Sequence, residues 1–131
     1  MEPKTREELN LLSQSIINAA VAVHREIGAG LLEGIYHDCL IRELQFRNIN
    51  YRTAVEVPIV YREVRLDKKY VLDLLVDDEI VIELKTVEQI IPVHEAQLLT
   101  YLKVTGKRLG LLINFNVPQL IKGVRRMVNK F

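Results

Sequence analysis

Apolar residues recur every three or four positions at the start of the chain. Leu9, Leu12, Ile16, Ala19 or Ala20, Val23 and Ile27 form the single stripe of an amphipathic helix. Thr5-Arg6-Glu7-Glu8 just before it reads as a capping box, in which Thr5 and Glu8 satisfy each other's free backbone amides. Gly28 and Gly30 stop the helix, since glycine readily adopts the positive φ that follows a helix end. A second helix is predicted from about Leu32 to Arg47, with Ile35, Cys39, Leu40 and Leu44 inside, and Asn48-Ile49-Asn50 breaks it. The period then drops from about 3.6 to about 2. Val55 to Tyr61 reads as a strand whose Pro58, lacking an amide hydrogen, predicts an edge position or a bulge. Lys69 to Val76 and Glu79 to Leu84 read as an antiparallel pair turning at Asp77-Asp78. Pro92 opens a third helix that runs to about Val104 and ends at Gly106. Leu109 to Phe115 is a continuously apolar, hence buried, strand, and Pro118 precedes a last helical stretch, Gln119 to Val128. The predicted order is α-α-β-β-β-α-β-α, a mixed α/β sandwich around one central β-sheet.

The chain has 131 residues, the size of one domain, and residues 1–131 are read as such. With 49% apolar and 27% charged residues, it has too much apolar surface to stay disordered. No stretch approaches the roughly 18–20 apolar residues of a membrane span. The beginning, Met-Glu-Pro-Lys-Thr-Arg-Glu-Glu, lacks a cleavable signal pattern. A lone cysteine, Cys39, cannot form an internal disulfide, so the expected location is the cytoplasm. The formal charge of +1 conceals an asymmetry. Residues 1–95 hold eleven basic and seventeen acidic side chains, whereas residues 96–131 hold seven basic ones and no acid. Either the two parts neutralise one another, or the basic part meets a polyanion.

Polar residues that interrupt apolar strands carry the chemical information. Asp73 lies between Leu72 and Leu74, and Glu83 and Lys85 share one face of the next strand. A buried carboxylate or ammonium requires a partner or a metal. A three-residue turn, Asp77-Asp78-Glu79, sets Val76 against Ile80 and Asp73 against Glu83; a two-residue turn would send Glu83 to the other face. The odd turn alone clusters Asp73, Glu83 and Lys85, and is the one expected. Two adjacent carboxylates repel unless a proton or cation separates them, and hard oxygen donors suit Mg²⁺, Mn²⁺ or Ca²⁺. An ammonium beside such an ion suits metal-assisted phosphodiester hydrolysis. The alternative is a surface salt bridge among the same residues.

Five ordered blocks then carry a resemblance. Gly30-Leu-Leu-Glu33-Gly-Ile-Tyr36, Tyr70-Val-Leu-Asp73-Leu-Leu-Val, Val81-Ile-Glu83-Leu-Lys85, His94-Glu-Ala-Gln97-Leu-Leu-Thr-Tyr101-Leu and Gly110-Leu-Leu-Ile-Asn114-Phe115 span about Ile27 to Arg125. Together they resemble the GxxExxY proteins, a group within the PD-(D/E)XK nuclease superfamily. The residue before Asp73 is Leu72 rather than the proline of the superfamily's name. The resemblance implies a restriction-endonuclease-like core, with Asp73, Glu83 and Lys85 as a nuclease-like triad. It also implies that Glu33 lies near the metal; alternatively Glu33 is an acid favoured at a helix N-terminus. Tyr36 shares a helical face with Glu33 and joins the expected site. Gln97 and Tyr101, four apart, look like the Q-x-x-x-Y element that orients substrate or a carboxylate in some of these nucleases. Otherwise Gln97 only satisfies a backbone group.

The expected activity is that of a nuclease using Mg²⁺ or Mn²⁺. Asp73, Glu83 and the Leu84 carbonyl would bind the ion, Lys85 would position or deprotonate water, and Glu33 would hold a second metal or a water. Lys122, Arg125 and Arg126 would meet phosphates, or simply form the solvated face of the last helix. Two other readings share the fold: a non-catalytic nucleic-acid- or protein-binding module, and a homo-oligomeric interaction protein. The expected partner is nucleic acid, DNA or RNA, although no aromatic cluster for base stacking stands out in the sequence. His24, His37 and His94 stay outside the catalytic set; Glu33 and His37, four apart, make a thin pair.

Overall fold

The computed structural model describes residues 2–131. Helix α1 spans Arg6–Ile27 and α2 Glu33–Phe46, followed by β1 (Tyr51–Tyr61), β2 (Val64–Val76) and β3 (Ile80–Lys85). Helix α3 (Pro92–Thr105) leads to β4 (Leu109–Asn114), a 3₁₀ turn (Leu120–Gly123) and β5 (Val124–Val128). The sheet order is β1-β2-β3-β4-β5. Only β3 and β4 are parallel, joined by α3 as a parallel pair requires; the other neighbours are antiparallel. This mixed five-stranded sheet flanked by helices is the α/β architecture of a restriction-endonuclease-like core. No helix among the described residues is long and apolar enough to cross a membrane.

Two cores lie on opposite faces of the sheet. Leu9, Ile16 and Val23 of α1 and Tyr36, Leu40 and Leu44 of α2 pack on Leu74, Ile82 and Leu111. Leu98 and Leu102 of α3 pack on Leu75, Val81 and Leu112. Both faces of β3 and β4 are therefore covered, which is why those strands read as unbroken apolar runs. The Thr5–Glu8 capping box is present, and α1 ends at Gly28 with φ 71°. Tyr36 then fastens the α1–α2 corner: its hydroxyl donates to the Gly28 carbonyl and accepts from the Leu31 amide, and its ring stacks on Phe115 at 4.5 Å.

Three differences from the sequence reading have physical causes. The expected helix from Gln119 to Val128 is one 3₁₀ turn followed by an edge strand. Strand β4 has free backbone groups on its outer side, and β5 satisfies them. Gly123 reaches the Asn114 carbonyl so closely that a Cβ would overlap it, which fixes where the chain enters β5. Secondly, β1 begins at Tyr51 and β2 at Val64, so the two form a long hairpin turning at Arg62-Glu63. Both turn residues have positive φ, 49° and 69°, the geometry usual for two-residue hairpins; without Gly or Asn there, the sequence carries no signal for it. Thirdly, β2 continues only as far as Leu74↔Ile82 beside β3, after which the two strands part. Pro58 lies in the edge strand β1 at a register irregularity between Pro58 and Val60, so it is both at an edge and beside a bulge.

Candidate active site

The register beyond the β2–β3 turn decides which acids meet. Val76 pairs with Ile80, Leu75 with Val81 and Leu74 with Ile82, so the turn has the expected three residues. The same register carries Asp73 opposite Glu83 at the point where the strands separate. On β1, Thr53↔Leu74 and Val55↔Leu72 are paired while Ala54 opposite Asp73 is not, and Ala54 has φ 50°. The ladder is thus interrupted on both sides of Asp73. Its carbonyl instead accepts a hydrogen bond from His37 Nε2 at 3.3 Å, which fixes the proton on that ring nitrogen. His37 is a residue of the site that the sequence reading set aside; its only signal was the four-residue spacing from Glu33.

Electrostatics bind the group together. Burial, followed by the neighbouring Asp73 carboxylate, pushes Glu83 up to about 7; Lys85 opposes this and Glu33 adds to it. Burial also raises Asp73, against the pull of His37 and Lys85. Tyr101 is raised by burial and then by the charges of Glu83, Tyr70 and Asp73, and its ring meets that of Tyr70 edge-on at 5.0 Å. Among the described residues, the ion pairs within 4.0 Å involve none of Glu33, Asp73, Glu83 or Lys85. Nor do these four donate or accept a side-chain hydrogen bond. Among the described residues no polar side-chain atom is both fully buried and unpartnered, so the carboxylates reach solvent. That open side is a cleft of 340 Å³ lined by Glu33, His37, Ala54, Asp73 and Leu84 among others.

The donor set bears on a cation. The Lys85 carbonyl accepts from Phe115 N–H at 3.0 Å and so points toward β4. Carbonyls alternate along a strand; the Leu84 carbonyl therefore points the other way, into the gap opened by the departure of β2. Asp73 and Leu84 line the cleft at that gap, and Glu83 stands next to Leu84 on β3. No three His, Cys, Asp or Glu side chains among the described residues form a ready cage for a metal. A hexacoordinate hard ion that keeps several waters and takes one or two carboxylates suits such an incomplete donor set. The residues fit a hard divalent ion of that kind.

The remaining candidates divide. Glu33 is the first residue of α2, exposed, and close enough to act on Glu83. Tyr101 packs on Tyr70, whereas Gln97 is exposed on α3 and, among the described residues, forms no hydrogen bond. Tyr36 is fully buried and fastened to main chain, remote in task from any substrate. His94 caps α3, its Nδ1 accepting from Ile91 N–H at 3.1 Å. Arg125 pairs in register with Leu112, which pairs with Glu83, so it stands on the Glu83 face two strands away. Arg126 points to the other face, against Asn10 Oδ1 at 2.7 Å and over Phe131. Asn114, the other residue missed, anchors the loop after Lys85: its side chain accepts from Val87 N–H and donates to Val87 O.

A parted β2–β3 hairpin bearing an acid on one strand and Glu-x-Lys on the other defines a nuclease-like α/β domain. The family model of the PD-(D/E)XK nuclease superfamily matches residues 10–127, and the chain belongs to that superfamily. Searches of curated proteins and of solved structures gave no match. Nucleases of this superfamily generally use divalent metals and act on nucleic acid.

Proposed function

We propose that this chain is a divalent-metal-dependent nuclease of the GxxExxY group, acting on nucleic-acid phosphodiester bonds. The observation that carries the reading is a cluster of two half-buried carboxylates and an ammonium on parted strands, without an ion pair to explain it. Asp73, Glu83 and the Leu84 carbonyl would hold Mg²⁺ or Mn²⁺, and Glu33, across the cleft, would hold a second ion or a water. When bound, the metal supplies Lewis-acid stabilisation of charge on the phosphate and lowers the pKa of water. The chain's own residues do the rest. His37 holds the Asp73 main chain where the ladder fails, and thereby aims the carboxylate. Lys85, free of a fixed partner, orients the attacking water and offsets the charge that grows on the phosphate. Tyr101, kept neutral beside two acids, can donate its hydroxyl proton in a hydrogen bond to a substrate oxygen. Tyr36, Gln97 and the basic residues Lys122 and Arg125 serve around this centre: Tyr36 by holding the corner from which Glu33 projects, the others as contacts to the polyanion.

The test is cleavage of labelled single- and double-stranded DNA and RNA with Mg²⁺ or Mn²⁺, beside Asp73→Asn and Lys85→Ala. Loss of about 100-fold or more in each variant is expected, the scale for removing one electrostatic stabiliser. Equal cleavage by wild type and both variants would assign the activity to a contaminant. Binding without cleavage under every metal would leave a non-catalytic binding module.

A further inference from the structure

Strands β1 and β2 hold one register on either side of the site. Arg52↔Leu75 and Thr53↔Leu74 lie on one side of Ala54 and Asp73, Val55↔Leu72 and Glu56↔Val71 on the other. No residue is inserted in either strand, yet both strands change faces at this step. Side chains two apart on a strand share a face, and Leu72 and Leu74 do not. Leu74 packs in the core under α1 and α2, Leu72 in the core under α3. Strand β1 behaves alike: Tyr51 packs against the first core and Val55 against the second, although four positions along a regular strand would keep them together.

Backbone torsion accounts for the switch. Ala54 has φ 50°, a left-handed conformation in the middle of an extended strand, which residues with a Cβ seldom adopt and β-branched ones least. It turns the outer part of the hairpin over relative to the inner part. The consequence falls on Asp73. In an unbroken strand Asp73 would share the face of Leu75, against α3. At the switch it is half-buried instead and lines the cleft with Thr53, Leu84 and, from α2, Glu33 and His37. Burial raises its pKa, while His37 from the α2 layer and Lys85 from the Glu83 face both pull it down. The bond from His37 to the Asp73 carbonyl has the same origin, because the carbonyl turns with the backbone out of the ladder.

We infer that Ala54 is a positioning residue of the candidate site: its left-handed backbone turns Asp73 from the α3 face into the cleft that Leu84 lines. Ala54 is itself exposed in that cleft and brings no polar group, so it acts through Asp73. Its bearing on a metal rests on the nuclease reading above; the turning of Asp73 does not.

The experiment compares Ala54→Gly, Ala54→Asn and Ala54→Val in the full chain, each first shown to be folded by circular dichroism. Asparagine is close to valine in size but tolerates the left-handed region, as glycine does, whereas valine resists it. The series therefore separates conformation from bulk. In metal-free protein, NMR of the His37 ring nitrogens should give wild-type shifts for Gly and Asn and altered shifts for Val, as the Asp73 carbonyl turns away. Mn²⁺ alone is then titrated and followed by electron paramagnetic resonance. Ala54→Val should bind it about tenfold or more weakly, the scale for groups that orient a metal ligand, while Gly and Asn bind as wild type does. Unaltered His37 shifts or unaltered Mn²⁺ affinity in Ala54→Val overturn the assignment. So does a loss in Gly or Asn as large as in Val, which would make size the cause. A wild type that binds no Mn²⁺ while the His37 shifts follow the series keeps the positioning and removes the nuclease reading. Metal-dependent cleavage shared equally by all three variants keeps the nuclease and removes the positioning. Should Ala54→Val fail to fold, Ala54→Thr, also branched at Cβ, takes its place.

Discussion

Glu83 illustrates what one side chain endures for the sake of a site. It sits inside β3 between buried Ile82 and Leu84, next to a second carboxylate, and its charge is stabilised only by Lys85. Its pKa of about 7, against the usual 4.5, makes the metal-free protein pH-sensitive in a defined sense. The folded state holds the Glu83 proton more tightly than the unfolded chain does. Stability from this group is thus fully present below about pH 4.5 and is lost as pH rises through about 7. Glu83→Gln should remove the loss: at pH 8 the metal-free variant is expected to be more stable than wild type by about 1–3 kcal/mol, and at pH 4 the gap should close. Urea denaturation at the two pH values checks this. A divalent ion should do for the wild type what the substitution does, raising its midpoint at pH 8 while leaving Glu83→Gln much less affected. Tyr36→Phe tests a residue of the other kind, one that holds the main chain in place. It removes a hydroxyl that bridges Gly28 and Leu31, and a loss of about 1–3 kcal/mol is expected for the main-chain groups left without it, with cleavage falling only as folding does.

At the scale of elements, the helices and the β2–β3 hairpin follow local rules. The capping box, the three-and-four spacing and the three-residue turn all lie within a few positions of one another, so their signals survive in the sequence. Strand β5 does not. Val124 to Val128 alternates too briefly to oppose a helical reading, and its structure is imposed by the free edge of β4 and by the close approach of Gly123 to Asn114. Gly123→Ala is therefore expected to cost about 2 kcal/mol or more through overlap with the Asn114 carbonyl, read by thermal or chemical denaturation. Asn114→Ala should cost about 1–3 kcal/mol by stranding the Val87 amide and should loosen the segment between Lys85 and α3, measurable as faster amide exchange there. His37 was equally hidden, because its partner is a main-chain carbonyl 36 residues away, freed by an irregularity at Ala54 that no residue type announces.

Across the whole molecule the charge asymmetry resolves into two ends. At the β2–β3 turn, away from the site, Lys107 and Arg108 approach Asp78 and Glu79 at 3.6 and 3.7 Å, and Lys4 pairs with Asp77 at 2.9 Å. Basic and acidic parts of the sequence neutralise one another there, around a charged hollow of 570 Å³. At the other end, among the described residues, Lys85, Lys68 and Arg125 have no acid within ion-pair distance. Salt should separate the two. Raising it from about 0.05 to about 0.2 M should shift the melting temperature little, since exposed pairs contribute roughly 0–1 kcal/mol each, while nucleic-acid affinity falls steeply with counterion release.

By itself the amino-acid order determined the helices, the buried strands, the odd-numbered turn and hence the meeting of Asp73, Glu83 and Lys85, because each depends on neighbours in the chain or on a two-residue alternation. Tertiary structure alone decided that β2 parts from β3 beyond Leu74, that the Leu84 carbonyl faces the gap, that His37 reaches Asp73, that the last segment is a strand, and that Tyr70 and Tyr101 meet. Those depend on backbone groups and surfaces brought together from distant parts of the chain, and unsatisfied hydrogen-bonding groups and bare apolar area come into being only when the chain has folded.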